Sequence, residues 1–181
     1  APVDSNSNRT QLTAHPPPVT AAHPSDIRAA VGLLASAQRP IAIAGTAASY
    51  CRSGESLVRF AEATRTPVMT EGDARGLIPD DHPWCGGFYD LGLNRAAHLV
   101  READVVVLVG KRQDLTVGYA MPPSINAAAR IVQIDPEFVE IGRNRPVDNA
   151  LLGNVETVLD QISEYAASQS GESWPDRSEW L

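Results

Sequence analysis

Residues 104–110 read Asp104-Val105-Val106-Val107-Leu108-Val109-Gly110: five apolar residues, four of them β-branched, between a charge and a glycine. A run that short, without polar alternation, is a strand buried on both faces, as in the interior of a parallel sheet. Working outward, Pro40 opens Ile41-Ala42-Ile43-Ala44, closed by Gly45, and Pro67-Val68-Met69-Thr70 reads the same way. On the C-terminal side come Arg130 to Asp135 and Asn149 to Gly153. Between these runs the period changes to that of a helix. Ile27, Val31 and Leu34 fall at i, i+4 and i+7 behind Ser25 as a cap; Leu57, Phe60, Ala61 and Thr64 form a second face. A third helix is expected near Leu93 to Glu102, a short one from Pro136, and a last one carrying Val155, Val158, Leu159 and Ile162 behind the cap Asn154. Strands alternating with helices imply βαβ crossovers. The fold class is therefore α/β: a Rossmann-like, doubly wound parallel sheet with helices on both faces, over residues 26–168.

The flanks read differently. Residues 1–25 lack periodicity and hold Pro2, Pro16, Pro17, Pro18 and Pro24, the composition of an extended linker. Residues 169–181 are polar apart from Trp174 and Trp180, whose rings are expected to dock either on this domain or on a neighbour. With no initiating methionine, the sequence is expected to be a processed chain or a piece of a longer one. Of its 181 residues 43% are hydrophobic and 20% charged, enough apolar material for one core. The net charge of −7 gives no electrostatic case for nucleic acid or an anionic membrane. No apolar run approaches the roughly 20 residues that span a bilayer. Two cysteines, Cys51 and Cys85, cannot build a disulfide scaffold, so a cytoplasmic location is expected.

Ligands of open parallel sheets bind at the carboxyl ends of the strands. Here those ends are Gly45-Thr46, Thr70-Glu71-Gly72, Gly110-Lys111-Arg112 and Asp135-Pro136. Gly45 would let a phosphate approach a helix start with free N–H groups, Arg112 would pair with it, and Asp135 would accept from a ribose. Against this, Gly45 and Gly110 are ordinary turn residues and Asp135 an ordinary cap, and neither G-x-G-x-x-G nor a P-loop is present. No catalytic set is evident: His82 and His98 are isolated, Cys51 has no partner base, and Glu71, Asp73, Asp80 and Asp81 read as solvated loop acids. No residue is assigned a catalytic or metal-binding role.

Taken in order, several segments resemble one family. RPIAIAG opens the domain; Gly76, Pro79, His82 and Pro83 follow in a Gly-x-x-Pro-x-x-His-Pro loop; Glu102-Ala103-Asp104 precedes the valine-rich strand ending Gly110-x-Arg112. Ile134-Asp135-Pro136 then leads to Ile141-Gly142. This ordered set resembles the central domain of thiamine-diphosphate-dependent enzymes of the acetolactate synthase type, over roughly residues 26–165. The resemblance implies a parent enzyme that makes or breaks a carbon–carbon bond beside a carbonyl, acting on pyruvate or another 2-oxo acid with thiamine diphosphate and Mg2+. It also implies flanking pyrimidine- and diphosphate-binding domains in the same chain and a homo-oligomeric parent, while this domain, lacking the coenzyme half-sites, is inert alone. Alternatives are an enzyme of the benzaldehyde lyase, oxalyl-CoA decarboxylase or pyruvate oxidase type, or a free-standing FAD-, NAD- or ADP-binding module. Gly72-Asp73-Ala74 imitates the start of the family's Gly-Asp-Gly…Asn-Asn diphosphate motif, but only Asn94 follows.

Relatives carry FAD or ADP in this domain, and by position Gly45, Thr46, Gly92, Arg112 and Asp135 would line that cleft. Two departures weaken it: Ala47-Ala48 stand where the family has glycines, and Lys111-Arg112-Gln113-Asp114 replaces its usual loop. The expectation is a colourless protein with weak ADP-type binding, worse than about 10 µM.

Overall fold

The computed structural model describes residues 19–92, 97–169, 174–177 and 179–180. The Pro-rich stretch before residue 19 and the first residues of the helix expected from Leu93 lie outside them. The centre is β1 (Pro40–Ala44) beside β4 (Val105–Val109), both buried along their whole length. β2 (Val68–Thr70) and β3 (Cys85–Phe88) extend the sheet on one side, β5 (Arg130–Asp135) and β6 (Asn149–Leu152) on the other. All neighbours are parallel, in the order β3-β2-β1-β4-β5-β6.

Alternation along the strands feeds two cores. Ala42, Ala44, Val105, Val107, Val132 and Ile134 face α1 (Pro24–Ser36), α3 (Gly54–Thr64) and α5 (Val155–Ser168). Ile41, Ile43, Val106, Leu108 and Ile131 face the other layer. That layer is built from α4 (Ala97–Glu102) and from the segment holding Val117, Ala120, Ile125 and Ala129. The second segment is largely non-helical, and one guanidinium holds it: Arg145 donates to the carbonyls of Ala120, Asn126, Ala127 and Ala129.

Three local outcomes differ from the sequence reading. α1 begins at Pro24 and is capped by His23, whose Nδ1 accepts from the Ser25 amide, because proline is pre-set for the first helical position. The turn after β5 tightens to a 3₁₀ turn at Phe138–Glu140 instead of a helix from Pro136. β3 had no sequence signal: Cys-Gly-Gly-Phe is a half-buried edge strand with a register break against β2, and two glycines erase any apolar pattern. Trp174 and Trp180 dock on this domain, one against each core.

Candidate functional site

Strand order reverses between β1 and β4, so the crevice beyond their carboxyl ends is where a ligand of this architecture is sought. α2 (Thr46–Tyr50) starts directly after β1, and Gly110 follows β4 with φ +56. A Cβ at Gly110 would lie on the Ala48 backbone nitrogen, so only glycine lets the two loops meet. The contact is a hydrogen bond from the Ala47 amide to the Gly110 carbonyl at 3.0 Å.

Between α2 and the turns after β4 and β5 lies a cleft of ≈ 230 Å³, lined among others by Thr46, Tyr50, Cys51, Arg112, Asp135 and Glu137. This is smaller than the ≈ 300–1,000 Å³ usual for cofactor pockets. The structure thus brings together Thr46, Arg112 and Asp135, while Gly92 does not line the cleft and Gly45 is buried under the stem of Lys111. Asp135 is buried and its Oδ1 accepts the Glu137 amide at 2.9 Å, the cap geometry weighed from the sequence. Burial pushes its carboxyl above the ordinary Asp value, against the Glu137 hydrogen bond, which lowers it. Arg112 is exposed and its Nε lies 3.8 Å from Glu140. The amides of Ala47 and Ala48 bond to Gly110 and Gly45, so two of the donors expected at this helix start are in use.

The group that sequence reasoning passed over is Lys111. It is the chain's only lysine, its side chain is 4% exposed, and its Nζ meets Glu71 at 3.1 Å and Asp114 at 2.8 Å. Glu71, read as a solvated acid, is instead nearly buried at 14%. For Asp114, burial raises the pKa, but hydrogen bonds from Lys111 and Thr116 outweigh it and hold the carboxyl below its ordinary value. A lone lysine in an arginine-rich chain was the available signal; its partners Glu71 and Asp114 lie 43 residues apart in sequence and only the fold joins them.

The remaining candidates have structural partners. His82 accepts the Trp84 amide on Nδ1 at 3.2 Å, which leaves Nε2 as the donor to Glu62 at 3.3 Å. The His-Pro loop is thereby pinned to α3. Gly72–Ala74 forms a 3₁₀ turn with Gly72 and Asp73 exposed and Ala74 buried, and Asn94 lies outside the described residues. Among the described residues no three His, Cys, Asp or Glu side chains group as a metal set.

Residues 27–162 match the profile of the thiamine pyrophosphate enzyme central domain. The chain belongs to this family. Mouse 2-hydroxyacyl-CoA lyase 1 is 32% identical over 91% of the chain and 27% of its own length. The "Probable acetolactate synthase large subunit" of Methanocaldococcus jannaschii is 33% identical over 88% and 28%. Oxalyl-CoA decarboxylase of Escherichia coli K12 is 31% identical over 80% and 24%. A solved structure from Mycobacterium smegmatis, described as a candidate thiamin diphosphate-dependent enzyme, superposes with TM-score 0.69 at 20% identity over 87% of the chain and 30% of that one. At that identity the likeness concerns the fold, and it agrees with the six-stranded parallel sheet. The chain thus spans about a quarter of the length of these relatives.

Proposed function

We propose that this central domain serves as the non-catalytic middle layer of a thiamine-diphosphate-dependent carboligase or decarboxylase, most like acetolactate synthase acting on pyruvate or another 2-oxo acid. The observation that carries the reading is the family match over residues 27–162, with acetolactate synthase among the relatives. Thiamine diphosphate, with Mg2+, would supply the electron sink from other domains of the parent chain. This domain's share is mechanical: a rigid two-sided core that spaces and orients its neighbours. In support, His82 is engaged with Glu62 and Trp84, and Lys111 with two carboxylates, so neither is at liberty as base or nucleophile. Cys51 and Cys85 are both free thiols, consistent with a reducing cytoplasm.

A second reading, a lyase or decarboxylase of CoA thioesters, is favoured by the comparable identity to 2-hydroxyacyl-CoA lyase 1 and oxalyl-CoA decarboxylase. The test is to assay the gene product carrying the flanking domains with pyruvate, a 2-hydroxyacyl-CoA and oxalyl-CoA in parallel. Acetolactate formation is the expected outcome; cleavage of a CoA thioester without it would move the assignment to the second reading. The 181-residue chain given pyruvate, thiamine diphosphate and Mg2+ should show no turnover, and measurable turnover would refute the non-catalytic role.

A further inference from the structure

We propose that the crevice at the switch point is closed by the chain's own lysine, which acts as a built-in counter-ion, and that it does not accept the diphosphate of an adenine or flavin nucleotide. The inference concerns the crevice alone and holds whichever reaction the parent enzyme performs.

Four observations carry it. First, the space is filled. A Cβ built on Gly45 would lie 2.6 Å from Lys111 Cδ and 2.9 Å from its Cα, so the stem of Lys111 crosses the end of β1 where a phosphate would approach. Gly45 is a glycine to admit this lysine. Second, the buried ammonium is committed to Glu71 after β2 and Asp114 after β4, at 3.1 and 2.8 Å. One cation between two carboxylates leaves the crevice with a net negative charge, which repels a diphosphate. Third, the first-turn amides of Ala47 and Ala48 already donate to Gly110 and Gly45, and α2 is only five residues long. Fourth, the two cations on the open cleft beside the crevice are both engaged, Lys111 with its two carboxylates and the exposed Arg112 facing Glu140, while Asp135 and Glu137 add negative charge. A bound diphosphate would have to pull Lys111 from two partners and receive nothing comparable in exchange. The lysine thereby joins the ends of β2 and β4 across β1, so the crevice tightens the sheet.

Calorimetric titration of ADP and of FAD into the full chain, each to 1 mM, tests the closure, and thermal unfolding of Lys111→Met and Glu71→Gln tests the bridge. We expect no saturable heat with either nucleotide and a colourless preparation. Lys111→Met should lower Tm by roughly 5 °C or more, because it leaves two carboxylates without their cation. In a Glu71→Gln background the same substitution should cost clearly less. If Lys111→Met does not fold, Glu71→Gln alone should still lower Tm, and the wild-type titrations stand by themselves. Saturable 1:1 binding of either nucleotide below 1 mM, co-purifying flavin, or equal Tm changes for Lys111→Met in both backgrounds would overturn the proposal.

Discussion

Asp135 ends β5 with its carboxylate buried and one amide donor, from Glu137. Burial raises its folded-state pKa above the unfolded value, so the unfolded chain holds the charged form more readily. Ionised Asp135 therefore opposes folding above its folded pKa, and this opposition disappears as pH falls below the unfolded value. Asp135→Asn keeps an oxygen for the Glu137 amide and removes the charge. It is expected to raise Tm at pH 7, with the gain shrinking to nothing near pH 3; denaturation curves across that range check it. Asp104 is held by two amide donors. Its two carboxylate oxygens accept the amides of Gln38 and Arg39 at 2.7 and 3.0 Å, fixing the entry to β1 beside β4. This gives the Glu-Ala-Asp signature a physical reason. Ala103 is fully buried, and Asp104 holds the amide of Arg39, 65 residues away at the entry to β1. Asp104→Ala should cost about 1–2 kcal/mol in urea unfolding, since it removes two hydrogen bonds to a charged acceptor and leaves their exposed amides to water.

At the scale of elements, the decisive feature is how α1 and α3 end. Both run into the N-terminal edge of the sheet, where their last carbonyls need donors. Arg177 supplies them: Nη1 bonds the carbonyls of Thr64 and Arg65, and Nη2 those of Leu34 and Ala37. Burial lowers its pKa to about 10, still charged at neutral pH. Trp174 stacks on the guanidinium at 5.6 Å, and Trp180 donates its indole N–H to Pro40 at 2.7 Å. The C-terminal segment thus straps the underside of the domain from one core to the other. Arg177→Met should destabilise by about 2–4 kcal/mol, because the methionine stem packs but leaves the helix ends unpartnered. A chain ending at residue 169 should lose at least as much. Unfolding midpoints unchanged by both would refute the strap.

At the scale of the whole molecule, several of the exposed apolar side chains follow the carboxyl ends of strands: Tyr50 after β1, Leu115 after β4, Phe138 and Val139 after β5. Phe138 and Val139 are 75% and 70% exposed on adjacent positions. An apolar lip on an otherwise acidic surface favours weak self-association. Light scattering should therefore give a monomer of 19.4 kDa at micromolar concentration. A dimer should appear only at much higher concentration, and Phe138→Ser should push that threshold up. A stable tetramer at micromolar concentration would contradict this.

Composition and periodicity alone determined the parallel α/β fold, because β1, β2 and β4, buried on both faces, leave short apolar runs that helical periods separate. They also placed Thr46, Arg112 and Asp135 at the carboxyl edge, since strand ends are local features. The tertiary structure alone decided which charged groups meet at that edge. Lys111, Glu71 and Asp114 meet only when β1, β2 and β4 lie side by side, and nothing local distinguishes a buried Glu71 from a solvated one. The same holds for Arg177, a polar residue in an unpatterned tail whose four acceptors come from two helices more than 100 residues upstream. β3 escaped because an edge strand of Cys-Gly-Gly-Phe owes its existence to a neighbour's free hydrogen-bonding groups and to no pattern of its own. Periodicity records which face of an element is buried; which charges are buried together is a property of the packed sheet.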